Sequence, residues 1–192
     1  MLSPTPRLRV RHALALVLVA VLLSLGIGAA PLDMSEGHRA VPAWEMLRTG
    51  DWLVTHLFEQ PYLRKPPGMT WAIALSSAIF GQTEFAARVV SVLASLAAAI
   101  VVAWWATRRF GAPWGAWAGF AHLTWPWLLE PMRSAEIEAL NTSATVFAAV
   151  ALWETLLPRP ESTARARWVW SALAGLAVLV TLLAKGPASA PA

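Results

Sequence analysis

Residues 68–80 read GMTWAIALSSAIF and stop at Gly81, and the placement of this apolar stretch decides the fold. Its 13 residues rise about 20 Å as a helix at 1.5 Å per residue. A bilayer hydrocarbon core is about 30 Å thick. The stretch is therefore read as a helix lying in the membrane interface or tucked beside a bundle, and not as a span. Longer apolar runs stand on either side. Residues 13–30 are unbroken, and runs at 86–106, 114–129, 140–157 and 168–184 follow.

Topology tests that placement. If 68–80 does not cross, Arg108, Arg109, Arg159, Arg165 and Arg167 all face the cytoplasm, and 130–138 lies outside beside the first loop. If it crosses, the five arginines face outward and the membrane separates the two acidic loops. Arginine excess in short cytoplasmic loops selects the first arrangement. The tryptophans agree, with Trp104, Trp105, Trp114, Trp117, Trp168 and Trp170 in one interfacial belt and Trp125 and Trp127 in the other. Arg7, Arg9 and Arg11 put the amino terminus in the cytoplasm. A signal peptide cleaved after Ala30 is the competing reading of 13–30, but that run exceeds the usual h-region of about 7–15 residues and more spans follow. The expected architecture is all-α: a polytopic transmembrane bundle of five spanning helices, with short interfacial helices in an extracytoplasmic loop over 31–85.

Composition bounds the class independently. The chain has 192 residues, 57% of them hydrophobic and 14% charged, with a mean hydropathy of +0.54. Soluble domains carry about 25% charge, so the chain reads as an integral membrane protein. The absence of cysteine excludes disulfides, thiolate metal sites and thiol nucleophiles. The net charge of +4 is spread between apolar runs, which fits topology and anionic-lipid contact and not nucleic acid. The segment 158–167 is a basic connector. No internal repeat or soluble domain is visible, and the chain stops soon after Ala184, early for a bundle.

Against this background the polar loop 31–67 stands out. Within it, 41–47 reads as a short helix ending near Gly50. Asp33, Ser35, Glu36, His38 and Arg39 cluster at its start. A carboxylate just outside a membrane helix can serve as a general base, and the same residues can cap a helix; both readings stand. Arg64 and Lys65 precede Pro66, Pro67 and the 68–80 helix, which suits a phosphate headgroup or plain attraction to anionic lipid. Arg133 and Glu138 can bracket a polar ligand, and Asn141 shares a helical face with Glu138. A helix start rich in glutamate also complements the helix dipole. Arg88 heads an apolar run, where it snorkels or meets an anionic headgroup. HExxH, GxGxxG, P-loop and GxSxG motifs are absent.

The order SEGHR, EMLRTGDWLV, PYLRKPPGMTW, FGQTEFAARV, MRSAEIEALNT, LLAKGP resembles the polyprenyl-phosphate-sugar glycosyltransferases of the GT-C class. The nearest branch is glycosyltransferase family 39, which includes bacterial aminoarabinose (lipid A) transferases and protein O-mannosyltransferases. Similarity runs over about residues 13–187. The resemblance implies a membrane enzyme moving a sugar from a polyprenyl-phosphate donor to a lipid or protein hydroxyl on the extracytoplasmic face of the inner membrane. It implies no tightly bound cofactor beyond that donor. Membrane lipids, the donor and the acceptor are the expected partners.

Residue by residue, Glu36 takes the place of the family's glutamate and is the first candidate base, with Asp33 second. Ser35 stands where the family has its aspartate. Lys65 matches the lysine that holds the lipid phosphate, helped by Arg64 and Arg88, and Glu138 takes the place of the second acidic residue. His38, Arg39, Arg133 and Asn141 are candidates for orienting the acceptor. Arg64 replaces a glutamate of the aminoarabinose transferases, so no metal contact is expected there. Family members run to several hundred residues, and this chain corresponds to their amino-terminal portion. The alternative expectation is an inactive, truncated paralogue that binds lipid or assembles with a partner. A transporter would carry its charges within the spans, whereas these sit at span ends.

Overall fold

The computed structural model describes residues 10–160 and 162–186. Arg7, Arg9 and Pro187 lie outside the described residues. Among the described residues, eight helices and one small hairpin follow in the order α1 (Val10–Leu23), α2 (Met34–Thr49), β1 (His56–Leu57), β2 (Gln60–Pro61), α3 (Gly68–Phe80), α4 (Glu84–Phe110), α5 (Ala112–Thr124), α6 (Pro126–Arg133), α7 (Ile137–Leu156) and α8 (Ala164–Lys185).

Helix α4 is the spine. Thr83 caps it by accepting from the Ala86 N–H, Glu84 occupies its first turn, and Arg108 and Arg109 occupy its last, so both ends complement the macrodipole. Its 27 residues extend about 40 Å. One core cluster joins α4 to α1 and the α5–α6 arm through Leu16, Ala20, Val92, Ala99, Ala103, Leu123 and Met132. A second joins it to α2 and α3 through Ala40, Ala43, Met69, Ile73, Ala74 and Ala87. Helices α7 and α8 pack against each other, and α7 also packs on α4. Helices α4 and α8 are long and apolar enough to cross a membrane.

Small residues set the closest approaches. Gly115 and Gly119 lie on one face of α5. A Cβ on Gly115 would collide with Thr107 Oγ1 and sit 2.5 Å from the Ala103 carbonyl oxygen. One on Gly119 would sit 2.9 Å from Ala103 Cβ. This is the small-xxx-small packing of membrane helices. Gly68, the first residue of α3, lies so close to α8 that a Cβ would meet the Leu183 carbonyl oxygen at 2.6 Å.

Three stretches differ from the sequence reading for local reasons. Helix α2 starts at Met34 instead of 41, because Asp33 accepts from the Glu36 N–H while the Glu36 side chain accepts from the Asp33 N–H, a reciprocal capping box. It ends at Gly50, whose φ of 76° is the left-handed conformation glycine adopts freely. The run 114–129 breaks into α5 and α6 at Trp125, extended ahead of Pro126; proline disfavours helical geometry in the preceding residue. Past Leu23 the first apolar run tightens into three-residue turns (Leu25 N–H to Leu22 O, Ile27 N–H to Ser24 O). Residues 68–80 form α3 with the expected bounds.

Candidate active site

Every helix start from α2 to α4, together with the α6–α7 junction and the end of α8, gathers at one rim of the bundle. Glu36 is its buried centre, 3% exposed. Arg88, on the first turns of α4, meets it in fork geometry: Nε donates to Oε1 at 2.7 Å and Nη2 to Oε2 at 2.6 Å. The Ala135 N–H donates to Oε1 at 2.8 Å and the Asp33 N–H to Oε2 at 3.1 Å. A carboxylate offers about four acceptor positions, and all are taken.

Arg88 is equally committed. Its remaining donors reach the carbonyls of Ile27 (2.6 Å), Ala30 (2.8 Å) and Pro31 (2.9 Å), so all five guanidinium N–H groups are used. Burial alone would raise the Glu36 carboxyl, but the Arg88 fork and the two backbone donors outweigh it and hold the group below its ordinary 4.5. The pair ties the segment after α1, the start of α2, the head of α4 and the α6–α7 junction together.

The other candidates distribute around this joint. Asp33 is exposed; its Oδ1 accepts from the Glu36 N–H and the Ser35 hydroxyl, both at 2.8 Å, and these bonds hold its carboxyl below the ordinary value. The His38 ring sits 5.8 Å from the Tyr62 ring. Arg39, 8% exposed, pairs with Glu136 at 3.5 Å and leaves its Nε without a hydrogen bond. Arg133 donates to the Leu23 and Leu25 carbonyls and so closes the end of α1. Glu138 pairs with Lys185 at 3.6 Å, and the Asn141 Oδ1 is buried without a hydrogen bond. Arg64 and Lys65 are exposed. A Cβ on Gly186 would lie 3.3 Å from Pro66 Cγ, so the segments carrying Lys65 and Lys185 adjoin.

Arg88 thus joins Glu36 and not the exposed cations, and two residues without an assigned role, Glu136 and Lys185, partner Arg39 and Glu138. A signal for Lys185 existed in its place at the end of an apolar run, where a lysine complements the helix C-terminus. Glu136 carried no comparable signal.

A helical bundle with helices long and apolar enough to cross a membrane, and a charged rim around a buried carboxylate–guanidinium pair, defines a polytopic helical membrane protein. Residues 64–188 match the family described as dolichyl-phosphate-mannose-protein mannosyltransferase, and the chain belongs to that family. An undecaprenyl phosphate-alpha-4-amino-4-deoxy-L-arabinose arabinosyl transferase of Aeromonas salmonicida is 32% identical over 143 residues, covering 74% of this chain and 26% of the relative. One from Pseudomonas aeruginosa is 30% identical, covering 73% and 25%. The crystal structure of ArnT from Cupriavidus metallidurans in the apo state superposes with a TM-score of 0.84 at 24% identity, over 92% of this chain and 33% of that one. The same protein bound to undecaprenyl phosphate gives 0.83 at 25% identity, over 91% and 32%. The chain spans about a quarter of the length of the curated relatives it matches.

Proposed function

We infer that this chain is part of a membrane glycosyltransferase that moves a sugar from a polyprenyl-phosphate donor to a lipid or protein hydroxyl on the extracytoplasmic face of the inner membrane. The single observation that carries the reading is the rim, where an exposed carboxylate and exposed cations surround a rigid joint. The likeness to ArnT bound to undecaprenyl phosphate supports the donor class. Five spanning helices, with α2 and α3 in the outer interface and the arginine-rich end in the cytoplasm, form the topology of this reading.

Saturation of Glu36 moves the base assignment to Asp33. Both Asp33 hydrogen bonds fall on Oδ1, and the group is ionised at neutral pH. In the proposed step the acceptor oxygen attacks the anomeric carbon and inverts it, the carbon–oxygen bond to phosphate breaks, and the lipid phosphate leaves with the bonding pair. The hydroxyl proton passes to Asp33. The leaving phosphate gains one negative charge, which Lys65 and Arg64 stabilise electrostatically. Arg88 contributes only by holding the joint. Glu138, His38, Arg39, Arg133 and Asn141 position the acceptor side.

The test separates base from cap. Asparagine caps a helix as well as aspartate, so Asp33→Asn leaves thermal stability unchanged while labelled-sugar transfer in membranes from cells expressing the protein falls by about 10²-fold or more. Unchanged transfer rejects Asp33 as the base.

A further inference from the structure

At the arginine-rich end of the bundle, the last turn of α7 and the first two turns of α8 enclose a cavity of about 270 Å³. Thr155 lines it from α7, and Ala164, Arg167, Trp168 and Ser171 line it from α8. Helical spacing puts the four α8 residues on one face. Among the described residues Arg167 has no carboxylate partner. Residues 158–171 hold Arg159, Arg165 and Arg167 against Glu161, and the start of α8 adds the positive end of its dipole. The cavity is therefore a place for an anion.

Its two hydroxyls narrow the choice. Thr155 Oγ1 donates to the Ala151 carbonyl at 2.9 Å, and Ser171 Oγ donates to the Arg167 carbonyl at 3.0 Å. Each hydroxyl has spent its one hydrogen and offers only lone pairs to an occupant. An occupant that carries an anion and its own hydroxyl donors meets all three groups.

The volume is below the roughly 300–1,000 Å³ of drug-sized ligand sites, so the cavity takes a headgroup and not a whole lipid. An apolar strip continues from it along the same face of α8. Gly175, one turn past Ser171, has nothing within 4 Å of where a Cβ would stand. Val178 and Leu182 follow it and are 43% and 44% exposed. That strip has room for an acyl chain beside the helix. Trp168 stands exposed at the mouth, and tryptophan favours the membrane–water interface.

We propose that this cavity holds the headgroup of a phosphatidylglycerol-type phospholipid of the cytoplasmic leaflet. The phosphodiester meets Arg167, the glycerol hydroxyls donate to Thr155 and Ser171, and an acyl chain lies along Gly175 and Val178. Basic pockets between spanning helices on the cytoplasmic side suit anionic headgroups. The assignment rests on the topology given above, which puts this end in the cytoplasm, and is independent of the donor and the reaction.

The test is lipid titration of the full chain in neutral detergent, read by native mass spectrometry. Phosphatidylmethanol carries the same phosphodiester charge without the glycerol hydroxyls. Wild type is expected to bind phosphatidylglycerol at least about threefold more tightly than phosphatidylmethanol, and Thr155→Val combined with Ser171→Ala is expected to bind the two alike. Arg167→Gln is expected to weaken both lipids about tenfold. Arg165→Gln removes the same charge from outside the cavity and is expected to change either less than about twofold.

Equal weakening by the two arginine variants, or no preference between the lipids in wild type, overturns the site and leaves plain attraction to anionic lipid. Displacement of phosphatidylglycerol by equimolar glycerol 1-phosphate or undecaprenyl phosphate overturns it as well. Should a variant not fold, the wild-type preference decides alone. The topology is tested separately with Arg165→Cys, the sole cysteine of that variant, and an impermeant maleimide. Labelling in intact spheroplasts rejects the topology, whereas labelling only after lysis, without a lipid preference, rejects this site alone.

Discussion

Two buried carboxylates mark the opposite ends of the bundle, and they are built differently. Glu36, at the rim, meets one arginine in fork geometry and two backbone N–H groups, and both partners are saturated. Glu154, on the last turns of α7 and 2% exposed, meets two arginines singly: Arg109 Nη2 at 2.9 Å and Arg159 Nε at 3.3 Å. Arg109 leaves its own Nε without a hydrogen bond and lies 5.9 Å over the Trp153 ring. The rim has a fixed joint that positions exposed groups around it. The other end has surplus positive charge loosely gathered on one carboxylate and banked against tryptophans, which suits anchoring at a membrane surface.

The largest effect should come from breaking the fixed joint. Removing one partner of a buried ion pair costs about 3–5 kcal/mol, so Glu36→Gln and Arg88→Met should each lower the unfolding midpoint in detergent severely. Arg88→Lys should not rescue, because an ammonium cannot reproduce a five-donor fork. Equal stability of Arg88→Lys and wild type would break the distinction drawn between the two ends. Replacing both members together should recover much of the loss.

At the other end Glu154→Gln should cost about 2 kcal/mol, less than either rim variant, because Arg109 and Arg159 keep partial solvent access. Tryptophan fluorescence on heating would report the order, and a Glu154 loss as large as that of Glu36 would mean that both ends are structural joints. A smaller effect is pH-dependent. The Glu36 carboxyl is held below its ordinary 4.5, so its contribution is complete above about pH 4.5 and is lost as pH falls through the lower folded value. In Glu36→Gln this part of the acid sensitivity should disappear.

Much of the helical plan was legible in the residues. The α3 stretch is apolar, 13 residues long and closed by Gly81, and its bounds could be read directly from the residues. The α2 start was legible too, through the aspartate-x-x-glutamate pattern of Asp33 and Glu36, but the apolar residues further on drew the helix start to 41. Proline at 126 was a similar signal inside an otherwise continuous run.

The site was less legible because its organising bond joins residues 52 apart. Arg88 in a list of residues is a cation at the head of an apolar run, and the same residue suits a headgroup, a snorkel or a partner. Only the geometry shows that its donors are exhausted. The same holds for Glu36, whose acidity suggests a base until its four acceptor positions are counted. Asp33 gains weight by the same argument, since it stays exposed while its neighbour is consumed.

Both ends of the bundle offer cations, and the proposed function puts the donor phosphate at the rim. The most direct test is equilibrium binding of undecaprenyl phosphate to the full chain in neutral nanodiscs, comparing Lys65→Ala with Arg159→Ala. Loss of a charge-assisted phosphate contact, worth about 1.5–3 kcal/mol, should weaken Lys65→Ala by about tenfold or more and leave Arg159→Ala near wild type. Equal weakening by the two variants, or weakening by Arg159→Ala alone, would contradict the placement of the phosphate at the rim.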